Sequence, residues 1–268
     1  MTQPILHTPG GAAGEYAQLA LRGPYVGCVG GCRYCYNHLT RPITVGQWRG
    51  NVRPLKGFTE RLEKTAAKLA GDPRRVFMSF GCDPCQPLED ELGLTARALD
   101  ILHKHGLAPH LLTKFGPAAA RHFPALARHP RARFWTTLTT LDPERAARWE
   151  PGAPPPAARV EALMLAMEMG IDTGLSLEPT IYPPATLRVI EEVGPLARHV
   201  SVGKLNHMTL GAVRAVDPAA AKPAWGAFRA EAVRALEAQG RSRLLGPHRD
   251  PGPGVRTYYI KRDLEAAG

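Results

Sequence analysis

The stretch YVGCVGGCRYCY, residues 25–36, decides the fold because it places three cysteines on one short loop. Cys28, Cys32 and Cys35 follow the spacing C-x3-C-x2-C, so their thiolates can surround a single metal centre. The glycines between them permit tight turns and a close approach of the backbone. The spacing predicts a [4Fe–4S] cluster in which three irons have cysteine ligands and the fourth iron has no protein ligand.

An iron without a protein ligand can chelate the amino and carboxylate groups of S-adenosylmethionine (SAM). One electron from the cluster then cleaves the sulfonium to methionine and a 5′-deoxyadenosyl radical, which abstracts hydrogen from an inert C–H bond. In such systems the cofactor carries the difficult chemistry, and the protein binds and orients the reactants. We therefore predict an enzyme that uses SAM, with an electron donor such as flavodoxin or ferredoxin.

Structural zinc is the alternative interpretation of the same cysteines. His38 lies close enough in sequence to complete a Cys3His set with Cys28, Cys32 and Cys35. Zinc ligands usually come as two pairs separated by a longer spacer, and this segment has no such spacer. The spacing therefore favours the iron–sulfur cluster over zinc.

A second cysteine pair, Cys82 and Cys85, encloses Asp83-Pro84 directly after the predicted strand Val76–Phe80. The carboxyl ends of parallel strands are where such folds bind ligands. Either thiol could donate a hydrogen atom to a substrate radical, or the pair could contribute to a second cluster. The remaining interpretation is two small buried apolar side chains, which is common for cysteine.

Composition sets the broad class. The 268 residues are 44% hydrophobic and 22% charged, values ordinary for a globular chain, and no run of 18 apolar residues predicts a membrane helix. The five cysteines all fall between Cys28 and Cys85, which favours metal or thiol chemistry over a disulfide framework. With no signal peptide in the sequence, we expect a cytoplasmic monomer with no membrane association.

The formal net charge of +10 favours a polyanionic partner such as nucleic acid, although a general preference for arginine would give the same balance. Basic residues crowd the C-terminal segment, about residues 241–268. They are Arg241, Arg243, Arg249, Arg256, Lys261 and Arg262. We expect one domain over residues 1–268, with an N-terminal arm at about residues 1–24.

Short β-prone segments alternate with amphipathic segments of helical length, which predicts parallel strands joined by crossover helices. The predicted strands are Val76–Phe80, Pro109–Thr113, Phe134–Thr139, Thr173–Leu177, Val200–Val202 and Thr257–Ile260. The predicted helices are about Thr59–Leu69, Thr95–His105, Pro117–Arg128, Pro143–Trp149, Pro156–Met169, Pro184–Arg198 and Pro223–Gln239. About six units fit a partial (β/α) barrel or an open parallel sheet.

The segment from Cys32 to Tyr36 resembles the radical SAM superfamily, and within it spore photoproduct lyase and its relatives, the "DNA repair photolyase" group. Other segments that resemble this group are Glu15–Ala17, Ser79–Glu89, Leu112–Lys114, Trp149–Ala153, Ser176–Pro179, Val202–His207 and Tyr258–Leu264. Where the group has Thr and Tyr around the Asp-Pro pair, this chain has Cys82 and Cys85. This departure argues against a true thymine-dimer lyase.

The resemblance implies a partial (β/α)6 TIM-like barrel with the cluster at its open top. It also implies roles for residues at the strand ends. Gly81 and Asp83 would hold the amino group of SAM, Lys114 its carboxylate, and Glu178 its ribose hydroxyls, while Thr137 and Thr139 would point inward and Tyr34 and Tyr36 would stack on a base or relay a radical. The alternatives are a solvated lysine for Lys114 and a local ion pair for Glu178.

Three functions remain open from the sequence. The first is hydrogen abstraction from a nucleic acid, in repair or modification, which requires the target base to leave the stack. Asn206 and His207 would then face the substrate. The second is a radical SAM modification of a peptide or small metabolite. The third is a non-catalytic zinc-binding nucleic-acid protein.

Overall fold

The computed structural model describes residues 4–39, 42–244 and 254–267. Arg249 and most of the Pro/Gly-rich loop 246–254 lie outside the described residues. Within the described part, no helix combines the length and the apolar character needed to cross a membrane.

The strands are given first. They are β1 (Leu6–His7), β2 (Leu19–Leu21), β3 (Tyr25–Val26), β4 (Arg53–Pro54), β5 (Val76–Phe77), β6 (Pro109–Thr113), β7 (Arg133–Thr137), β8 (Asp172–Thr180), β9 (His199–Lys204), β10 (Ser242–Arg243) and β11 (Thr257–Ile260). Strands β3 and β4 form an antiparallel pair of their own, and the others form a 9-stranded sheet.

The helices lie between the strands along the chain. They are α1 (Tyr36–Leu39), α2 (Val45–Gly50), α3 (Phe58–Lys68), α4 (Leu88–Leu92), α5 (Leu94–Lys104), α6 (Gly116–Ala119), α7 (Phe123–Ala127), α8 (Pro143–Trp149), α9 (Pro156–Glu168), α10 (Pro183–Glu192), α11 (Leu210–Val216), α12 (Trp225–Ala238) and α13 (Arg262–Glu265). Short 3-10 turns cover Gly11–Glu15, Ala120–His122 and Gly194–Leu196.

The large sheet has the order β1-β2-β5-β6-β7-β8-β9-β11-β10. All neighbouring strands run parallel except β1, which is antiparallel to β2. Within the described residues the sheet does not close on itself, because β1 and β10 form its two edges. The architecture is the predicted partial β/α barrel, open rather than closed.

The two faces of the sheet differ because alternate residues of a strand point to opposite sides. Leu111, Phe134 and Leu175 are at most 1% exposed and pack in the main apolar core. Their neighbours His110, Arg133 and others line the concave inner face instead. The inner face is therefore polar at both ends, and its residues define the two cavities described below.

The N-terminal segment between β1 and β2 contacts both β5 and β11, on opposite sides of the open sheet. The ring of Tyr16 lies 5.6 Å from that of Phe77, measured between centroids, near the β5 side. On the other side, Oε2 of Glu15 accepts hydrogen bonds from the Tyr259 hydroxyl at 2.8 Å and the Arg262 amide at 3.0 Å. The segment before the cysteines is thus packed against the sheet, whereas the sequence predicted an arm at about residues 1–24.

The predicted strands are found with shifted ends. Predicted strand Val76–Phe80 is shorter, ending at Phe77, and β8 extends to Thr180. The predicted helix Pro117–Arg128 was wrong as a single element: it is split into α6, a 3-10 turn and α7. Pro124 explains the break because proline has no amide hydrogen to donate to the preceding turn.

Candidate active site

The cysteine loop is held by the backbone on both sides. Strand β3 precedes it, and α1 begins directly after Cys35. The Cys28 amide donates to the carbonyl of Trp48 at 3.3 Å. Gly27 has φ +84°, and a Cβ there would come within 2.8 Å of that same carbonyl oxygen, so only glycine fits.

The three thiols of the loop lie close together. A Cβ built on Gly30 would be 3.4 Å from Sγ of Cys28 and 3.8 Å from Sγ of Cys32, so both sulfurs flank one space. The pKa of Cys28 is raised to about 11 and that of Cys32 to about 12, mainly by burial and with a smaller contribution from the neighbouring Cys35. Crowded, desolvated thiols of this kind ionise when a metal cation supplies positive charge.

These residues fit an iron–sulfur cluster. In the described part of the chain, no three His, Cys, Asp or Glu side chains converge closely enough to hold one metal ion. A cubane makes a different demand, because each cysteine binds its own iron and the sulfurs can stand further apart. His38, the fourth ligand of the zinc alternative, has Nε2 at 3.0 Å from the carbonyl oxygen of Cys32.

The loop opens onto a pocket of about 370 Å³ at the carboxyl ends of the parallel strands, which we call the upper pocket. Predicted site residues that line it are Cys28, Cys32, Cys35, Tyr34, Tyr36, Cys82, Asp83, Lys114, Thr137, Glu178, Asn206 and His207. Trp48 and Lys204 also line it and were not predicted. The strand ends thus bring together side chains that are far apart in sequence.

Lys114 is a half-buried cation beside the cysteine loop. Its Nζ lies 5.5 Å from the centre of the Tyr34 ring. Burial opposes the charge, but negative charge on Cys32 and Glu150 outweighs burial and raises the pKa of Lys114. Among the described residues it makes no ion pair within 4 Å, so its ammonium group is available to an anionic ligand in the pocket.

Glu150 supports the cysteine loop from below, and sequence reasoning did not assign it this role. Its carboxylate pairs with Arg159 at 2.6 Å and accepts hydrogen bonds from the hydroxyls of Tyr34 and of Thr139, the latter at 3.3 Å. Although burial opposes ionisation, Arg159 and Lys114 hold the pKa of Glu150 below its usual value. Its only sequence signal was the Trp-Glu-Pro-Gly segment.

These bonds revise two predicted roles. The Tyr34 side chain is only 8% exposed and its hydroxyl donates to Glu150, so it stabilises the cysteine loop from inside the protein. Thr139 does not line the upper pocket, because its hydroxyl turns to the same carboxylate. Tyr36 is 43% exposed at the pocket mouth, and its hydroxyl donates to the carbonyl of Phe80.

Asp83 joins two strand ends. Its carboxylate accepts hydrogen bonds from the Thr113 hydroxyl at 2.6 Å, the Lys114 amide at 2.8 Å and the Cys85 amide at 3.0 Å. Burial raises the pKa of Asp83, and these donors oppose that rise. Gly81, predicted beside it as a SAM contact, does not line the pocket and packs near the backbone of Gly23.

Glu178 forms the opposite wall with a local ion pair, the alternative considered from the sequence. Its carboxylate lies 3.1 Å from Nζ of Lys261 and accepts from the Ser201 hydroxyl at 2.7 Å. Burial raises the pKa of Glu178 even though Lys261 opposes that rise. Gly203 leaves space for this pair, since a Cβ would lie 2.9 Å from the Lys261 side chain.

Cys82 and Cys85 have different surroundings. Cys82 lines the upper pocket, with its Sγ 2.5 Å from the position of a Cβ on Gly23, so a glycine is needed there. Cys85 is 0% exposed in the apolar core, where burial raises the pKa of its thiol well above the usual range. Both thiols belong to the main apolar core, and of the two only Cys82 also lines the pocket.

The basic C-terminal residues do not form one exposed patch. Arg241 is 4% exposed and donates to backbone carbonyls, including that of Ala197 at 2.8 Å. Lys261 is 6% exposed and pairs with Glu178. Arg241 and Lys261 therefore make structural contacts inside the protein. The sequence pattern did not show which basic side chains fold inward.

An open parallel sheet with a cysteine loop over its strand ends defines a cofactor-dependent α/β enzyme. Residues 24–194, more than half of the chain, match the model of the radical SAM superfamily. The chain therefore belongs to the radical SAM superfamily, as the resemblance predicted. Membership implies SAM and an iron–sulfur cluster, and the cysteine loop fits this requirement.

Known proteins resemble parts of the chain. The uncharacterized protein ORF301 of Acidianus two-tailed virus is 25% identical over 173 residues, which are 61% of this chain and 56% of that protein. A spore photoproduct lyase mutant with dinucleoside spore photoproduct has a TM-score of 0.61 at 15% identity, covering 91% of this chain and 76% of the other. Streptococcus suis SuiB bound to S-adenosylmethionine has a TM-score of 0.60 at 12% identity, covering 91% and 51%. The two structural likenesses concern the fold alone.

Proposed function

We propose that this chain abstracts a hydrogen atom from a nucleic acid, in a repair or modification reaction related to that of spore photoproduct lyase. The observation that carries the proposal is the meeting of three crowded thiols, the cation Lys114 and the thiol Cys82 in one pocket. When bound, a [4Fe–4S] cluster supplies the electron that cleaves SAM to methionine and the hydrogen-abstracting 5′-deoxyadenosyl radical. We propose a cytoplasmic monomer reduced by a flavodoxin or ferredoxin.

Different residues of the pocket would bind the cluster and the different groups of SAM. Cys28, Cys32 and Cys35 would bind the cluster, and amide hydrogens of Asp83 and Gly30 point at the Cys28 sulfur, where they favour the thiolate. Lys114 would bind the carboxylate of SAM as a charge-assisted pair. Glu178 would accept hydrogen bonds from ribose hydroxyls with its remaining lone pairs.

Cys82 would return a hydrogen atom to the substrate radical. Burial raises the pKa of its thiol well above the usual range, so the sulfur keeps the hydrogen that such a step needs. The S–H bond would break as a C–H bond forms on the substrate. The sulfur radical left behind would be reduced by one electron and one proton, with the electron from the flavodoxin or ferredoxin.

Two features support a nucleic acid as the substrate: the net charge of +10 and the likeness to a lyase solved with a dinucleoside. A peptide substrate is the second candidate, because SuiB, also solved with its precursor peptide SuiA, has a similar fold at a TM-score of 0.59. The two candidates differ in salt dependence, since phosphate contacts release counterions and peptide contacts do not.

Anaerobic reconstitution followed by dithionite and SAM tests the enzyme class, with 5′-deoxyadenosine measured by chromatography. We expect its formation, and faster formation when the correct substrate is present. Oligonucleotides and peptides would be compared, with binding measured across a salt series. One zinc per chain, no brown colour and no 5′-deoxyadenosine would overturn the proposal, and salt-insensitive binding of peptides alone would overturn the nucleic-acid part.

A further inference from the structure

A second cavity, which we call the lower cavity, lies on the same inner face at the amino ends of the strands. Its volume is about 180 Å³. The side chains that carry the argument are Arg74, Arg75, Arg131, Arg133, His110 and Trp135. It adjoins the upper pocket at Tyr16, which lines both, but the proposed reaction uses none of these six residues.

Positive charge dominates this cavity. Arg133 pairs with Asp172 at 2.8 Å, and Arg74 pairs with Asp72 at 2.6 Å. Arg131 contacts no carboxylate within 4 Å in the described part of the chain, and its guanidinium donates to the carbonyl of Pro73. The cavity also contains Glu15, whose carboxylate already accepts hydrogen bonds from Tyr259 and Arg262.

The electrostatics of His110 agree with this charge balance. Burial is the largest influence on the imidazole and holds its pKa well below the usual range. Positive charge on Arg133 and Arg75 lowers the pKa further. The neutral imidazole therefore lies in a positive field, a field that favours an anion placed beside it.

Two buried polar atoms of the cavity lack a partner. His110 is 6% exposed and Trp135 is 8% exposed, yet Nε2 of His110 and Nε1 of Trp135 make no hydrogen bond among the described residues. Indole nitrogen is only a donor, and a buried donor without a partner destabilises the protein unless a ligand satisfies it. The rings meet edge to face with centroids 4.9 Å apart, so both atoms belong to one region.

Strand β8 is shaped to hold Trp135 in this position. A Cβ on Gly174 would overlap the indole ring, so the glycine opens the space that the ring occupies. On its other side, the indole stacks on His199 with ring centroids 6.1 Å apart and an interplanar angle of 19°. The indole is thus held between His110 and His199, in the cavity that the arginines also line.

We propose that the lower cavity binds a small tetrahedral oxyanion of the phosphate class. Phosphate oxygens accept several hydrogen bonds at once and match guanidinium groups in charge and geometry. Such an anion would accept a hydrogen bond from the indole N–H, and a second from Nε2 of His110 in the tautomer that carries its hydrogen there, and it would balance Arg131. It would also join β6 and β7 to β9 and the N-terminal segment, because all four border the cavity.

Titration of the reconstituted protein with sodium phosphate tests the proposal, with sodium chloride at equal ionic strength as the reference. Calorimetry and tryptophan fluorescence would be recorded together. We expect one phosphate per chain, an increase in Tm and a change in fluorescence. Adenosine monophosphate in place of phosphate tells free phosphate from a bound phosphoryl group, because the natural source of the anion should bind more tightly.

Trp135→Phe keeps an aromatic ring but removes the indole donor together with part of the ring system, so we expect the phosphate affinity measured by calorimetry to fall about tenfold. Arg131→Gln should weaken binding by about 10- to 100-fold. Arg128→Gln is the matched control, since Arg128 pairs with Asp100 on the surface, and its phosphate affinity should equal that of the wild type. Phosphate effects no larger than those of chloride, or unchanged affinity in folded Trp135→Phe and Arg131→Gln, would overturn the site.

Discussion

The upper pocket and the lower cavity are built by the same strands, yet they have different chemistry. Strand β6 presents His110 to the lower cavity and is followed by Lys114 in the upper pocket. Strand β7 presents Arg133 to the lower cavity and Thr137 to the upper pocket. The upper pocket takes its thiols from loops, whereas the lower cavity takes its arginines and histidines from strands and strand starts. One sheet face can therefore carry two sites whose residues change independently.

Cys32→Ala is expected to have the largest effect on the upper pocket while leaving the lower cavity unchanged. Loss of one of three cluster ligands should reduce SAM cleavage by more than the roughly 100-fold that loss of an outer-shell partner costs. Iron content and 5′-deoxyadenosine formation measure this effect. Phosphate binding below should not change, and Cys85→Ala is the control because its thiol lies in the core. A Cys32→Ala protein with full iron and activity would remove the cysteine loop from the mechanism.

Glu150→Gln tests whether the upper pocket depends on its buried ion pair. The substitution leaves Arg159 charged and buried without its counterion, and we expect a loss of about 3–5 kcal/mol in the free energy of unfolding. Urea denaturation measures the loss. Glu192→Gln, which breaks an exposed pair with Arg188 at 2.5 Å, should cost no more than about 1 kcal/mol. Equal losses in the two variants would contradict the supporting role of Glu150.

Lys114→Gln addresses the ligand side of the upper pocket. A charged hydrogen bond contributes about 1.5–3 kcal/mol, so SAM affinity should fall by about 10- to 100-fold. Equilibrium binding of SAM to the reconstituted protein measures the change. Lys104→Gln, which removes an exposed partner of Glu63, is the matched control. Unchanged SAM affinity in Lys114→Gln would assign the SAM carboxylate to another group.

The smallest effect concerns acid stability of the lower cavity. Histidine in the unfolded chain takes up a proton near pH 6.5, while folded His110 resists protonation because its pKa is lowered by burial. The unfolded state therefore binds more protons below that pH, and the free energy of unfolding falls as pH decreases. His110→Phe should reduce this slope by up to about 1.4 kcal/mol per pH unit. Urea denaturation at several pH values, in phosphate-free buffers, measures it, and an unchanged slope would refute it.

The sequence was informative where a local pattern reports local chemistry. The cysteine spacing predicted the family, and alternating segments predicted six strands of the sheet. Strand β2 was missed because three residues are too few to show a period. The lower cavity has no local sequence pattern that predicts it, because contacting residues such as Arg133, Asp172 and His199 are far apart in sequence. Similarly, only the fold brings Glu150 under Tyr34, which changed the predicted role of that tyrosine.

The contact of Glu15 with Tyr259 and Arg262 also bears on the order of assembly. These partners are separated by 244 and 247 positions along the chain. Lys261 lies between Tyr259 and Arg262 and lines the upper pocket, so during synthesis from the N-terminus that pocket is completed only after β11 has left the ribosome. A ribosome-stalled chain ending before β11 should therefore carry the three cysteines without Lys261, the ion-pair partner of Glu178 in the upper pocket.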